Sequence, residues 1–317
     1  MRKMVIDSHC DTALKLLNGK SLNSLENQFT LDNALRYEKY IQFFAMYMEP
    51  EYVKIGEYDL CLRMIDSLNK QIERNSQFIQ LILSKQDLNS YLSCKEKKLG
   101  IILAVEDAIC LEGKIENIKN LYDRGIRVIG LTWNGKNQLA SGASCLKDEG
   151  LSKFGEEVIK KMNEMGIIID VSHLSEKSFF DVMKITKKPV IASHSCSKYI
   201  CNHRRNLSDE QIKLISKNAG MICLNFYKEF VNVDPNNADL KSLANHIKHI
   251  YSIAGKQCVG IGSDYDGIKK KDTITLLEDN SKLINLMNFL KKEKFTDEEI
   301  DGILWRNQLK FLKKNLK

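Results

Sequence analysis

The sequence lacks the cysteine pattern of a disulfide-stabilised secreted protein. Its nine cysteines are an odd number, they are scattered along the chain, and no two of them form a CxxC pair. Several lie inside apolar runs that are typical of buried strands, where a thiol packs as a small hydrophobic group. Because this usage is typical of reduced thiols, we expect a cytoplasmic protein.

Long runs of one residue class are also missing. No apolar run approaches the roughly 18 residues that cross a bilayer, and we expect neither a leader peptide nor a lipid anchor. The 48 basic and 41 acidic residues are mixed, so we expect no nucleic-acid partner and no membrane association. Since no repeat, linker or low-complexity segment interrupts the chain, residues 1–317 are predicted to form one domain.

What the sequence does contain is a series of short, mostly continuous apolar runs separated by helical patterns. Continuous apolar strands are typical of a parallel sheet covered by helices. Eight runs are present, at residues 4–6, 41–48, 100–105, 127–133, 166–171, 189–192, 220–225 and 258–263. Eight such units predict an α/β fold, a (β/α)8 TIM-type barrel. An open doubly wound sheet is the alternative, but no GxGxxG follows the first run.

Ionisable side chains follow five of these runs, at the carboxyl end of each predicted strand. In chain order they are His9, Asp11, Glu106, His173, His194 and Asp264. In a barrel the carboxyl ends of all strands converge at one mouth, where active sites lie. The sequence therefore predicts a cluster of imidazoles and carboxylates at that mouth.

Three histidines with two or three carboxylates exceed the ligands that one tetrahedral zinc ion needs. Such a set suits two divalent ions about 3.5–4 Å apart, bridged by a carboxylate and a hydroxide. A site of this kind lowers the pKa of the bridging water and polarises a carbonyl group, which is hydrolytic chemistry. We therefore expect a hydrolase with two Zn²⁺ ions, for which Mn²⁺ or Co²⁺ are alternatives.

The remaining histidines and an arginine pair are expected to have other roles. His246 and His249 lie three apart on a predicted helix, which we expect outside the barrel and partly exposed. His203 precedes Arg204 and Arg205 in the loop after the sixth run, on the mouth side. A guanidinium binds a carboxylate through a bidentate fork, so this pair is a candidate for substrate recognition. Solvated surface charges are the alternative.

Six short segments match one family in order and spacing. They are Asp7-Ser8-His9-Cys10-Asp11, Ala104-Val105-Glu106, Asp170-Val171-Ser172-His173, Ser193-His194-Ser195, Arg204-Arg205-Asn206-Leu207 and Gly262-Ser263-Asp264-Tyr265-Asp266-Gly267. On these residues the chain resembles the membrane dipeptidase (renal dipeptidase) family of zinc peptidases, within the amidohydrolase-like barrels. The resemblance runs over nearly the full length.

The resemblance implies how the metal ligands are divided. His9 and Asp11 would bind one zinc ion, His173 and His194 would bind the other, and Glu106 would bridge both and so serve catalysis. The family cleaves dipeptides, accepts a D-residue at the second position and is usually dimeric. The resemblance thus implies a small peptide substrate, a metal-bridging hydroxide as the attacking group, and a homodimer.

Substrate-binding residues are also implied by the resemblance. Arg205 would hold the terminal carboxylate, and Asp264 would contact the amino group and pass a proton to the leaving amine. This chain has Trp133 where mammalian members carry an oxyanion-stabilising histidine, so oxyanion stabilisation would rest more on zinc, or substrate choice would differ. Phe230 stands in place of a family tyrosine, with Tyr227 close by. The alternatives are a related barrel hydrolase acting on another amide or lactone, or a non-catalytic ligand-binding relative.

Overall fold

The computed structural model describes residues 4–17, 19–49, 51 and 56–317, and within these residues nine strands form one sheet. The strands are β1 (Val5–Cys10), β2 (Tyr40–Tyr47), β3 (Ile79–Leu81), β4 (Leu99–Glu106), β5 (Ile126–Gly130), β6 (Ile168–Asp170), β7 (Ile191–Ala192), β8 (Met221–Leu224) and β9 (Val259–Ile261). Their order is β2-β1-β9-β8-β7-β6-β5-β4-β3, and a pairing of β2 with β4 closes the ring. All of these pairings are parallel. The predicted (β/α)8 TIM-type barrel is confirmed.

Strand β3 has no counterpart among the eight predicted runs. It pairs with β4 from Ile79 opposite Leu99 to Leu81 opposite Ile101. The pairing of β4 with β5 begins further along, at Leu103. β3 therefore pairs with the amino-terminal part of β4, on the edge where β5 pairs with the carboxyl-terminal part. It adds no residue to the mouth.

Helices surround the barrel, and several begin at the residues that the sequence predicts. They are α1 (Thr12–Leu16), α2 (Leu31–Ala34), α3 (Glu57–Arg74), α4 (Lys85–Ser93), α5 (Glu116–Asp123), α6 (Lys153–Met165), α7 (Glu176–Ile185), α8 (Asp209–Lys217), α9 (Lys228–Val231), α10 (Leu240–Ala254), α11 (Leu283–Lys292), α12 (Asp297–Asp301) and α13 (Asn307–Asn315). Ser175 caps α7, and the predicted capping boxes open α8 and α12. Among the described helices, none combines the length and apolarity needed to cross a bilayer.

Alternate strand residues face the inside of the barrel. Phe43 and Ala104 pack in the interior cluster, whereas Phe44 packs with the surrounding helices. Because side chains alternate along a strand, the interior series continues to Tyr47 of β2 and Glu106 of β4, which are paired in register. These last two residues therefore point into the mouth, above the apolar layers of the barrel.

Candidate metal centre

The mouth brings together the five predicted metal ligands around the carboxylate of Glu106. Its Oε2 lies 3.4 Å from His9 Nε2. Its Oε1 lies 2.9 Å from His173 Nε2 and 3.7 Å from His194 Nε2. His9 Nε2 in turn lies 3.3 Å from Asp11 Oδ2, and all five residues are buried. The two oxygens of one carboxylate thus face two separate histidine groups.

Two of the predicted site residues adopt a backbone conformation that is rare for side-chain-bearing residues. His173 has φ 67° and Asp264 has φ 65°, each a short distance beyond a strand end. Backbone in this region costs about 1–3 kcal/mol per residue, and such strain concentrates at functional sites. The fold therefore holds these two side chains at the mouth against a local conformational cost.

The outer ring nitrogens of two histidines fix their tautomers. His173 Nδ1 lies 2.9 Å from the acceptor Asn134 Oδ1. His194 Nδ1 lies 2.8 Å from Ser193 Oγ, whose own proton is donated to Asp170. Each Nδ1 therefore carries the proton, and each Nε2 presents a lone pair. The two Nε2 atoms lie 2.7 Å apart, a separation at which lone pairs repel unless a cation lies between them.

Charges and burial set the protonation of the cluster. Burial and the nearby Arg205 charge lower the pKa of His173 to about 3. Burial and the charge of His9 hold the pKa of His194 well below its usual range. Burial opposes ionisation of Glu106, but the charge of His9 outweighs it and holds the pKa of Glu106 well below its usual range. Neutral His173 and His194 and an ionised Glu106 are the states that bind metal. Burial opposes the charge of His9, but Glu106 and Asp11 outweigh it and hold the pKa of His9 well above its usual range, so His9 must lose a proton when a metal binds.

Two buried atoms of the candidate ligands, His9 Nε2 and Asp11 Oδ1, lack a hydrogen bond of normal geometry among the described residues, although His9 Nε2 lies 3.3 Å from Asp11 Oδ2 and 3.4 Å from Glu106 Oε2. A buried polar atom without a hydrogen bond costs about 1–3 kcal/mol, and both atoms are available to a ligand outside the chain. Imidazole nitrogen and carboxylate oxygen are the donors that zinc and related ions prefer. These residues therefore fit a divalent metal.

Sequence reasoning missed Asp170, which lies behind the ligands. Its carboxylate accepts backbone N–H bonds from Ser172 at 2.9 Å and from Ser193 at 3.0 Å, and the Ser193 hydroxyl also donates to it. Asp170 also has an oxygen within 4.8 Å of ring nitrogens of His9 and His194, and the three hydrogen bonds fix the orientation of its carboxylate. It therefore orients His194 through Ser193. The signal was present, since Asp170 is a charged residue within the run at 166–171 and Ser193 directly follows the run at 189–192.

Ser193→Ala removes the acceptor for the Nδ1 proton of His194 while leaving the imidazole in place. We expect metal affinity to fall about 10-fold to 100-fold, because outer partners of metal-binding histidines contribute that much. Calorimetric titration of the metal-free protein measures the loss. Ser195→Ala is the matched control, since the buried Ser195 hydroxyl has no partner in the described part of the chain. Equal losses in the two variants would contradict this role of Ser193.

Arg205 is the buried member of the arginine pair. Arg204 is exposed, as expected of a solvated surface charge. Arg205 Nη2 donates to the backbone oxygen of His194 at 3.3 Å, and its Nε has no hydrogen-bond partner among the described residues. Burial lowers the pKa of Arg205 to about 10. A buried cation with an unused donor is arranged for an anionic ligand.

Asp264 faces the His9 side of the cluster. Its Oδ1 lies 3.8 Å from His9 Nε2, and its Oδ2 accepts a 2.9 Å hydrogen bond from Asn225 Nδ2. Asn225 Oδ1 accepts the Tyr227 backbone N–H at 2.6 Å, which fixes the orientation of the amide. Burial raises the pKa of Asp264. Sequence reasoning missed Asn225, which is the last residue of the run at 220–225.

Gly267 lies where no side chain fits. A Cβ there would stand 2.1 Å from Asp11 Oδ2 and 2.5 Å from Asp264 Oδ1. We expect Gly267→Ala to displace both carboxylates and lower kcat/KM at least about 100-fold, since a shift near 1 Å has effects of that size. Turnover and circular-dichroism melting measure activity and folding. Gly135→Ala, at a mouth-loop glycine with open space around it, is the control. Equal activity of the two variants would show that the carboxylates tolerate the methyl group.

Two further predicted substrate residues, Trp133 and Tyr227, lie around this cluster. Trp133 is 37% exposed, and its ring centroid lies 6.2 Å from that of His173. The half-buried Tyr227 packs edge-on against Phe230 at 4.9 Å, and Phe230 in turn lies 5.4 Å from the Arg205 guanidinium. Both positions are on the mouth side, and their roles stay predictions.

The expectation that His246 is partly exposed is wrong. Its side chain is fully buried, with Nε2 2.9 Å from Val231 O and Nδ1 accepting the Ser197 N–H at 3.0 Å. The His246 ring thus forms hydrogen bonds to the segment after β7 and to the segment after β8. These two segments pack over α10 and bury the ring. Burial lowers its pKa to about 4. His249 is half-buried and bonds Asp209 at 2.8 Å.

Sequence comparison places this chain beside dipeptidases. The sequence model of the membrane dipeptidase family, peptidase family M19, matches residues 1–316. An uncharacterised dipeptidase of Schizosaccharomyces pombe is 31% identical over 292 residues, which are 86% of this chain and 69% of that protein. An uncharacterised protein of Klebsiella pneumoniae is 31% identical over 265 residues, covering 80% of this chain and 96% of its own.

Solved structures share the whole barrel. A dipeptidase described as a metallopeptidase of family M19 superposes with a TM-score of 0.89 at 22% identity, covering 100% of this chain and 99% of its own. A metallopeptidase from Rhodobacter sphaeroides, liganded with a phosphinate mimic of the dipeptide L-Ala-D-Ala, has a TM-score of 0.88 at 20% identity. It covers 99% of this chain and 100% of its own. At these identities the likeness shows a common fold.

Proposed function

The chain belongs to the membrane dipeptidase family, and from that premise we propose that it is a dinuclear zinc enzyme cleaving dipeptides, including those with a C-terminal D-residue. Membership makes it a metal-dependent dipeptidase acting on small peptides. One observation carries the dinuclear proposal: Glu106 directs one oxygen to His9 at 3.4 Å and the other to His173 at 2.9 Å. The L-Ala-D-Ala mimic bound by the Rhodobacter sphaeroides relative supports the D-residue.

The donor set divides between two ions. His9 and Asp11 would hold one zinc ion, His173 and His194 the other, and Glu106 both. When bound, the ions supply Lewis-acid polarisation of the scissile carbonyl and a water of lowered pKa. Manganese or cobalt would suit the same nitrogen and oxygen donors.

Arg205 and Asp264 would hold the two charged ends of the substrate. The buried guanidinium of Arg205, with its unused Nε donor, would bind the terminal carboxylate, which restricts the enzyme to short peptides. Asp264 Oδ2 is held by Asn225, so Oδ1 remains for the substrate amino group and for the proton delivered to the leaving amine. The pKa of Asp264, raised by burial, suits a group that takes up and returns a proton.

Three further properties belong to the proposal. The enzyme would act in the cytoplasm, which is supported by the free thiols of its nine cysteines. It would form a homodimer, as the family resemblance implies. Tyr227 would contact the substrate near its carboxylate, because its ring lies against Phe230, beside Arg205.

A substrate panel tests the proposal. The purified protein, loaded separately with zinc, manganese or cobalt, is assayed on L-Ala-L-Ala, L-Ala-D-Ala, N-acetyl-L-Ala and a simple lactone. We expect hydrolysis of the two dipeptides and about two metal ions per chain by elemental analysis. Turnover confined to the N-acyl amino acid or the lactone would contradict the proposal, as would inactivity with every metal.

A further inference from the structure

We propose that Trp133 and Tyr47 form an aromatic wall in the substrate site and select dipeptides that carry a bulky apolar side chain. The inference rests on the proposed dipeptide hydrolysis and narrows its substrate class. Neither ring is needed to hold a metal ion or a charged end of the substrate. The position, rigidity and exposure of the pair each support a role in side-chain recognition.

The aromatic pair lies directly beside the metal ligands. Tyr47 is the last residue of β2, half-buried and paired in register with Glu106. Trp133 follows β5, with its ring centroid 5.4 Å from that of Tyr47 and the two planes inclined at 53°. The Trp133 ring also lies 6.2 Å from the ring of His173. The wall therefore lies beside Glu106 and His173 at the mouth.

The loop that carries Trp133 is held by its own hydrogen bonds. Asp107 accepts the backbone N–H of Trp133 and the Asn137 side-chain amide, the latter at 2.6 Å. The same amide donates to Leu131 O at 2.7 Å. Gly142 packs so closely on this loop that a Cβ added to it would lie 2.2 Å from the Trp133 backbone oxygen. The exposed indole thus stands on a fixed backbone, which reduces the entropy lost when a ligand covers it.

The exposed part of the Trp133 ring is apolar surface that a bound ligand could cover. Trp133 is 37% exposed although it adjoins the buried metal ligands. Every dipeptide has the carboxylate and amino group that Arg205 and Asp264 would bind, so these two residues cannot distinguish one side chain from another. An apolar side chain laid on the indole would remove apolar surface of both partners from water. The aromatic wall is therefore the element of this site that discriminates between dipeptides.

An alternative role for Trp133 is donation of its indole N–H to the developing oxyanion. That role would raise the rate on every dipeptide and would need the N–H group. The wall needs only an apolar ring and acts on bulky substrates. Trp133→Phe keeps a ring and removes the N–H, whereas Trp133→Ala removes both, so the two variants separate the roles.

Kinetics on matched dipeptides test the wall. The zinc-loaded wild type, Trp133→Ala and Trp133→Phe are assayed on L-Ala-D-Ala, L-Leu-D-Ala and L-Ala-D-Leu. The measured quantity is kcat/KM on a leucine-containing dipeptide divided by kcat/KM on L-Ala-D-Ala. We expect this ratio to fall about tenfold in Trp133→Ala and to stay at the wild-type value in Trp133→Phe. An unchanged ratio in Trp133→Ala for both leucine substrates would overturn the proposal. Equal loss on all three substrates in Trp133→Phe would assign the oxyanion role instead.

A binding measurement separates failure of the wall from failure of the proposed activity. The chain has two tryptophans, and Trp305→Phe leaves Trp133 as the sole indole. Trp305 belongs to the π-helix Gly302–Arg306, in the C-terminal segment of the chain. We expect phosphinate mimics of L-Leu-D-Ala or L-Ala-D-Leu to shift the Trp133 emission to shorter wavelength, and the L-Ala-D-Ala mimic to shift it less. Bound leucine mimics that leave the emission unchanged would overturn the wall, even in an enzyme that cleaves dipeptides. A shift without dipeptide turnover would support the wall and contradict the proposed activity.

Discussion

Glu106→Gln is expected to lower kcat/KM on dipeptides at least about 1000-fold while the barrel stays folded. Its two oxygens face different histidine groups, at 3.4 Å from His9 Nε2 and 2.9 Å from His173 Nε2. Glutamine keeps the volume but offers one oxygen, and its NH₂ group presents donors to one half of the site. A cation and an N–H donor repel each other, so that half loses its metal.

Metal content and thermal melting distinguish this mechanism from unfolding. Elemental analysis of Glu106→Gln should show less metal per chain than the wild type after the same loading. The metal-free variant should still unfold in one cooperative transition, at a lower temperature than the wild type, because the substitution leaves the buried charge of His9 with one partner fewer. Glu157→Gln, at an exposed position on α6, is the matched control and should keep both activity and metal. Full metal content with wild-type turnover in Glu106→Gln would contradict the bridging role.

The barrel was predictable because buried parallel strands need apolar residues on both faces. The run at 100–105, for example, is β4, whose eight residues are all buried. Strand β3 was not predictable in this way, since only three residues pair and two of them are partly exposed. A segment that short gives no period that separates it from a loop.

The ligand cluster was predictable because one topological rule brings strand ends together. His9 and His194 are far apart in the sequence, yet their ring centroids lie 3.8 Å apart at the mouth. Ser193 and Asn225 also stand at strand ends in the sequence, but the partners of their side chains were not predictable from that position. Their roles depend on hydrogen-bond geometry. The steric role of Gly267 likewise follows only from distances to the two carboxylates.

Arg205→Met is expected to raise KM for dipeptides about 100-fold. The substitution removes the cation that would bind the substrate carboxylate, and methionine fills a buried site with a flexible apolar chain. Loss of a charge-assisted bond to a carboxylate is worth about 1.5–3 kcal/mol. The free energy of unfolding should stay equal or rise, because the buried guanidinium has an unsatisfied Nε that methionine lacks. Steady-state kinetics and denaturant unfolding measure the two effects.

Two controls isolate the carboxylate as the group that Arg205 recognises. L-Ala-D-Ala amide lacks the terminal carboxylate, so the wild type and Arg205→Met should cleave it with similar kcat/KM. Arg204→Met removes the exposed neighbour and should change KM for L-Ala-D-Ala by no more than about twofold, since an exposed charge interacts weakly. If Arg205→Met lost as much activity on the amide as on the free dipeptide, Arg205 would act on the geometry of His194, whose backbone oxygen it contacts at 3.3 Å, and not on the substrate.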